Sequence, residues 1–295
     1  MHLSTPENNT AMDRIFNLTT RLFDPLHVFW EDKATQRLVS GVLVVIFLLG
    51  LGVIELNRQG LLPAGLSATV PLTHYMAINL AFTLVLILEV VSLIFTLPCS
   101  ISRALGKQFE ILALIFLRSS FKELTLLPEP ISIDNHIDVL WRILSDGGGA
   151  IIIFALLGVY TRMLKKSEEK QMTGAVLYSF VAAKKMVALL MLAIFCSMGA
   201  WNGLLLVTGN KTFHFFHHFY TVLIFCDILL VLISQCFQPG FRAVFRNSGY
   251  ALATLLIRLA LTAPPFLNVA IGVMSALLAL LLTVTYDKLY ASTKL

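Results

Sequence analysis

Long apolar runs separated by short polar breaks dominate the chain. The runs cover about residues 38–56, 75–97, 147–164, 181–207 and 215–237, with two more at 243–263 and 266–286 on either side of Ala263-Pro264-Pro265. A helix rises about 1.5 Å per residue, so about 20 apolar residues cross the ~30 Å hydrocarbon core of a bilayer. Each run therefore predicts a membrane-crossing helix. Two adjacent prolines remove backbone donors and crowd the preceding turn, so a tight hairpin or a sharp kink is expected at Pro264-Pro265. Residues 104–126 are ambiguous. The stretch 109–117 is apolar apart from Glu110, yet Arg103, Lys107, Glu110, Arg118 and Lys122 share one helical stripe. This segment is either an interfacial helix or a span with one polar face turned toward its neighbours.

Ahead of the first run, residues 12–30 repeat Ile15, Leu18, Leu22, Leu26 and Phe29 at helical spacing, with Arg14 and Arg21 off that stripe. The pattern predicts an amphipathic helix with Pro25 as a break point, lying in the membrane interface or packed on the bundle.

The distribution of basic residues decides the span count, because cytoplasmic loops carry the excess of Lys and Arg. If 104–126 crosses and the N-terminus is cytoplasmic, then Arg103, Lys107, Arg162, Lys165, Lys166, Lys170, Lys184, Lys185, Arg242 and Arg246 are inside. Outside remain Arg58, Arg118, Lys122, Arg142 and Lys211, beside an acidic loop with Glu123, Glu129, Asp134, Asp138 and Asp146. If 104–126 does not cross, the lysine-rich 162–185 region flips outside. The expected architecture is an all-α, polytopic membrane bundle of about eight spans, with both termini cytoplasmic. The alternative has seven spans, with 243–286 crossing once as a kinked pair. The organisation is then an interfacial segment 1–37, a first bundle half 38–164, a basic cytoplasmic loop 165–180 and a second half 181–295.

The two halves share a short pattern. Runs 75–97 and 215–237 each begin near histidine, carry one acid past the middle and end near cysteine and proline. Each is followed by Arg-x-x-Gly, at Arg103–Gly106 and Arg246–Gly249. Parallel repeats of this kind occur in transporters; chance likeness between apolar runs is the competing explanation.

Composition agrees with the pattern. The 295 residues are 57% hydrophobic and 13% charged, against about 25% charged in soluble domains. No hydrophilic stretch is long enough for a separate soluble domain. The net charge of +5 reads as Lys and Arg beside anionic lipid. These residues are scattered between spans, so nucleic acid is not an expected partner. The expected partners are the lipid bilayer and an ion or small solute, with homo-oligomer formation left open. Cys99, Cys196, Cys226 and Cys236 form no CxxC and read as small buried hydrophobes. The first apolar run follows a mixed-charge segment, unlike the short basic start of a signal peptide.

Two acids carry the candidate chemistry. Glu89 is the only charge between Tyr75 and Ser102, and Asp227 the only one between Phe219 and Pro239. A carboxylate mid-span costs about 2.5–3.5 kcal/mol on insertion scales, and such residues usually face a bundle interior or wet cavity. The functional reading is a protonatable or cation-binding pair at one depth, with Arg258 as electrostatic partner and Glu110 as a further ion-binding candidate. The alternative is that each acid is held in a static ion pair, with Arg258 paired or snorkelling to the interface.

His214, His217 and His218 stand at i, i+3 and i+4, with His74 expected on the same outer side. Neutral imidazoles are good ligands for metals or haem iron, but histidines at a membrane interface read the same way. No cofactor is expected beyond that alternative. Gly147-Gly148-Gly149 is expected to open a helix as a flexible start rather than to bind phosphate, since no Lys-Ser/Thr follows. The leading function is a channel or transporter for an ion, cation or proton favoured, or a small solute. The alternatives are a non-transporting sensor, scaffold or assembly subunit, and a membrane-embedded haem or metal redox protein. Catalysis is not expected.

Overall fold

The computed structural model describes residues 6–63, 70–98, 101–127, 136–166, 175–208, 215–237 and 240–286. Among them all regular structure is helical. In chain order the helices are α1 (Pro6–Glu31), α2 (Lys33–Arg58), α3 (Tyr75–Thr96), α4 (Ile101–Glu123), α5 (Ile137–Lys166), α6 (Ala175–Val207), α7 (Phe215–Phe237), α8 (Phe241–Thr262) and α9 (Leu267–Thr285). Six of these, α2, α3, α5, α6, α7 and α9, are long and apolar enough to cross a membrane, so the chain is a multi-pass membrane protein by its helices. The charges of α4 and α8 keep those two out of the set. Yet both are long enough to cross, about 33–35 Å, and both pack within the bundle: α4 packs on α3, α5 and α8, and α8 packs on α4, α7 and α9, while α8 leaves Phe241, Phe245, Leu252, Leu255 and Leu259 exposed.

The interior has two apolar cores. One is built by Leu86, Val90, Leu93 and Ile94 of α3, Val187, Ala188 and Met191 of α6, and Phe219, Leu223 and Leu230 of α7. The other joins Leu105, Phe109, Leu112 and Phe116 of α4, Ile153 and Tyr160 of α5, Ala253 and Ile257 of α8, and Ala276 and Ala279 of α9. Each core draws helices from both halves of the chain. Within the second core, helices approach through small residues. A Cβ at Gly149 would lie 2.6 Å from Cγ1 of Val269, one at Gly249 2.7 Å from Leu282, and one at Gly272 3.0 Å from Phe116. Close backbone approach replaces the hydrophobic drive that lipid does not supply between helices.

Three expectations change here, and a fourth change concerns an alternative. First, α1 runs unbroken through Pro25; the missing N–H leaves one gap in the ladder, and packing on α6 and α2 holds the helix across it. Second, α1 does not pack through its apolar stripe. Phe16, Thr19 and Phe23 are buried, His27 and Trp30 half-buried, and Ile15, Leu18, Leu22, Leu26 and Phe29 are exposed. Third, Gly147–Gly149 do not open a helix. α5 starts at Ile137, and its first turns are held by Ser120 Oγ donating to Ile143 O at 3.0 Å and Asn268 Nδ2 donating to Asp146 Oδ1 at 2.9 Å. Fourth, 243–286 is not a single kinked span. The chain reverses through Ala263–Phe266, with Phe266 at φ 71°, and α9 returns along α8. Ser275 Oγ donates to Ala253 O at 2.7 Å, and the Tyr250 and Thr283 hydroxyls meet at 3.0 Å.

The ends of α3, α5 and α7 and the starts of α4, α6 and α8 share one end of the bundle. Tyr160 Oη donates to Ser102 O at 2.8 Å, and Phe180 packs on Phe237 with centroids 5.2 Å apart. This end carries Arg103, Arg162, Lys184, Lys185, Arg242 and Arg246 and is called the basic end below.

Candidate functional site

Polar side chains line the seam between α7 and α8. Tyr220, Asp227 and Ser234 are spaced by seven, so they stack on one face of α7 over about 21 Å, and all three are buried. Asn247, Thr254 and Arg258 form the facing stripe on α8, also buried. Nearest the basic end, Asn247 Nδ2 donates to Ser234 Oγ at 2.7 Å. At the centre stands Asp227, and beyond it Arg258 lies over the Tyr220 ring, 5.9 Å from its centroid.

Asp227 is the focus. Its side chain is 9% exposed and that of Arg258 2%, so neither charge reaches solvent or the outer surface. Arg258 does not snorkel. Its Nη2 stands 3.7 Å from Asp227 Oδ2, which is an ion pair but too long for a hydrogen bond. Asp227 Oδ2, Arg258 Nε and Arg258 Nη2 have no hydrogen-bond partner. The other carboxylate oxygen accepts from Gln108 Nε2 of α4 at 3.3 Å, and Gln108 Oε1 is itself unpartnered. Asp227, Gln108 and Thr254 border a cavity of about 20 Å³, whose remaining wall includes Leu97, Ile101 and Leu230. That is room for about one water. Leu97 and Ile101 flank the α3–α4 connection, so the cavity lies on the basic-end side of Asp227, while Arg258 and Tyr220 close the other side.

Glu89 has its partner in the next helix. Lys107 Nζ of α4 stands 2.7 Å from Glu89 Oε2 and 2.7 Å from Glu110 Oε2. This triad is looser in its surroundings than the Asp227 pair, with side-chain exposures of 26% for Glu89 and 45% for Glu110. Lys107 and Gln108 are consecutive, so α4 holds Glu89 with one residue and Asp227 with the next. The two acids therefore lie in one layer, on adjacent faces of α4 about 100° apart. Further from the basic end, Arg118 Nη2 donates to Thr83 Oγ1 at 2.9 Å and the guanidinium lies over Phe216.

The histidines divide. His74 Nε2 stands 3.2 Å from Glu55 of α2, His217 and His218 are exposed at the start of α7, and His214 lies outside the described residues. Among the described residues no three His, Cys, Asp or Glu side chains stand close enough to hold a metal ion.

Sequence reasoning missed Gln108 and Thr254; it offered Lys107 as a partner for Glu110 along the polar stripe, as found, but not for Glu89. The seven-residue spacings Tyr220/Asp227/Ser234 and Asn247/Thr254 carry the seam and are readable in the chain. The chain was compared with protein-family models, with curated proteins and with solved structures, and it matches none of them.

Proposed function

We propose that this protein moves protons or a small cation across the membrane, with Asp227 as the central exchanging group. In this reading α4 and α8 also cross, giving eight spans, with α4 enclosed by its neighbours and α8 turning its polar face inward and Phe245, Leu252, Leu255 and Leu259 outward. The basic end faces the cytoplasm, by the charge asymmetry of the loops. The observation that carries the reading is the loose Asp227–Arg258 pair. A purely structural lock in a low-dielectric interior needs its hydrogen bonds satisfied. Here three polar atoms of the pair are unsatisfied, and Asp227 itself borders a water-sized cavity. Such a site suits a partner that comes and goes. The cavity suits a proton or water better than a bulky solute, and the arrangement corresponds to a closed state reached from the basic end.

A second reading, a non-transporting sensor or assembly subunit, is favoured by one observation: both deep acids have a basic residue within 4 Å. Flux measurements separate the two. Proteoliposomes carrying a pH-sensitive dye should show proton or cation flux that falls in Asp227→Asn and, less severely, in Glu89→Gln. Wild-type flux in both variants, with the fold intact, removes the carboxylates from the mechanism. No flux of any kind from the wild-type protein favours the second reading.

A further inference from the structure

The uncovered stripe of α1 supports an inference independent of transport. α1 meets the bundle at the level of its basic end. Phe16 packs with Ala182 and Ala183 of α6 and against Ile233, four residues before the end of α7. Fourteen residues later, Trp30 stacks on Phe95 at the end of α3, with centroids 5.9 Å apart. Between them Phe23 and His27 also contact Phe95. Phe16 and Trp30 therefore both meet the part of the bundle nearest its basic end, and between them Asn17 and Asp24 keep step with Tyr178 and Lys185, so α1 runs beside the first turns of α6 at the level of the basic end. It is pinned there by Tyr178 donating to Asn17 at 2.6 Å and by Lys185 standing 2.6 Å from Asp24.

Around the helix axis the faces follow in order. The packed face holds Phe16, Phe23 and His27. The exposed apolar stripe holds Ile15, Leu18, Leu22, Leu26 and Phe29, and exposed Arg14 and Arg21 border it on the side away from the packed face. Exposed Glu31 and Asp32 then separate this face from exposed Lys33 and Arg37 at the start of α2.

We infer that α1 is a lipid-binding belt. Its stripe sits at the boundary of headgroups and acyl chains, and Arg14 and Arg21 bind the phosphates of anionic phospholipids. An apolar stripe edged by arginines is the geometry of an interfacial helix, and the arginine stems cover apolar surface while the guanidinium groups reach the headgroups. Zwitterionic lipid satisfies the stripe alone; the paired arginines select negative charge.

The test uses the full-length protein in liposomes, with its four cysteines replaced and a bimane label at Leu22→Cys. At equal mole fraction, brominated phosphatidylglycerol should quench the label more than brominated phosphatidylcholine. Arg14→Gln and Arg21→Gln, both at exposed positions, should each reduce that preference about fivefold. Quenching by aqueous iodide in place of lipid overturns lipid contact. Shielding from both lipid and iodide overturns it in favour of a protein partner on the stripe. Equal quenching by the two lipids in the wild-type background overturns the headgroup assignment.

Discussion

Neutralising Asp227 or Arg258 alone should destabilise the protein far more than neutralising both. At the observed 3.7 Å, two unit charges attract by about 4 kcal/mol at an effective dielectric near 20. Little of this is screened, because the side chains are only 9% and 2% exposed. Removing one partner from such a pair strands the other, at about 3–5 kcal/mol, whereas replacing both with neutral groups of similar size is often close to neutral. Asp227→Asn keeps an acceptor for Gln108, and Arg258→Met keeps most of the volume under Tyr220. Each single variant should lose about 3 kcal/mol and the double variant only about 1–2 kcal/mol, against about 6 kcal/mol for independent sites, a coupling of about 4–5 kcal/mol. Equilibrium unfolding of the four proteins in mixed micelles of rising SDS fraction measures the cycle. Additivity within about 0.5 kcal/mol would mean that the charges do not sense each other, and would refute the pairing on which the site rests.

Three further outcomes follow from the packing and the topology. Gly149→Ala drives a Cβ to 2.6 Å from Val269 and should cost about 1–3 kcal/mol by overpacking. Gly148→Ala, with nothing within 4 Å, should stabilise the helix by up to about 1 kcal/mol; thermal unfolding in detergent that reversed this order would contradict the α5–α9 contact. Tyr160→Phe removes the 2.8 Å bond to Ser102 O and should cost about 1 kcal/mol, measured in the same SDS titration, where no change would make that bond incidental. A cysteine placed between residues 165 and 170 should react with an impermeant maleimide only after cells are opened, and labelling in intact cells would invert the proposed orientation.

Apolar run length was enough to find α2, α3, α6, α7 and α9, because lipid-facing helices must be apolar nearly all round. It was weakest for α5, whose first ten residues include Asp138, Arg142 and Asp146 and read as loop. Those residues are helical because tertiary partners hold them, Glu123 and Asn268 among them. The stripe of α1 was visible, but not which face packs, since Phe16, Phe23 and Trp30 offer a second apolar face about 100° around the helix from the first. The depth of Glu89 and Asp227 could be counted along the helices. Their partners could not, because the pairing of Lys107 with Glu89 and Gln108 with Asp227 depends on how α4 is rotated between α3 and α7. That rotation is set by side-chain packing on both flanks, which no single helix encodes.

The location of the charge pairs bears on how the chain enters the membrane. Glu89 and Lys107 belong to the consecutive helices α3 and α4, and Asp227 and Arg258 to α7 and α8. Alone, α4 and α8 are poor substrates for the insertion machinery, since a central Arg or Lys costs about 2.5–3.5 kcal/mol. As hairpins, each delivers a carboxylate together with its own counter-charge. Under the proposed eight-span topology, the unit of biogenesis is the hairpin rather than the single helix: each polar helix is escorted by the apolar helix made just before it, and neither pair waits for the rest of the bundle to become electrically neutral.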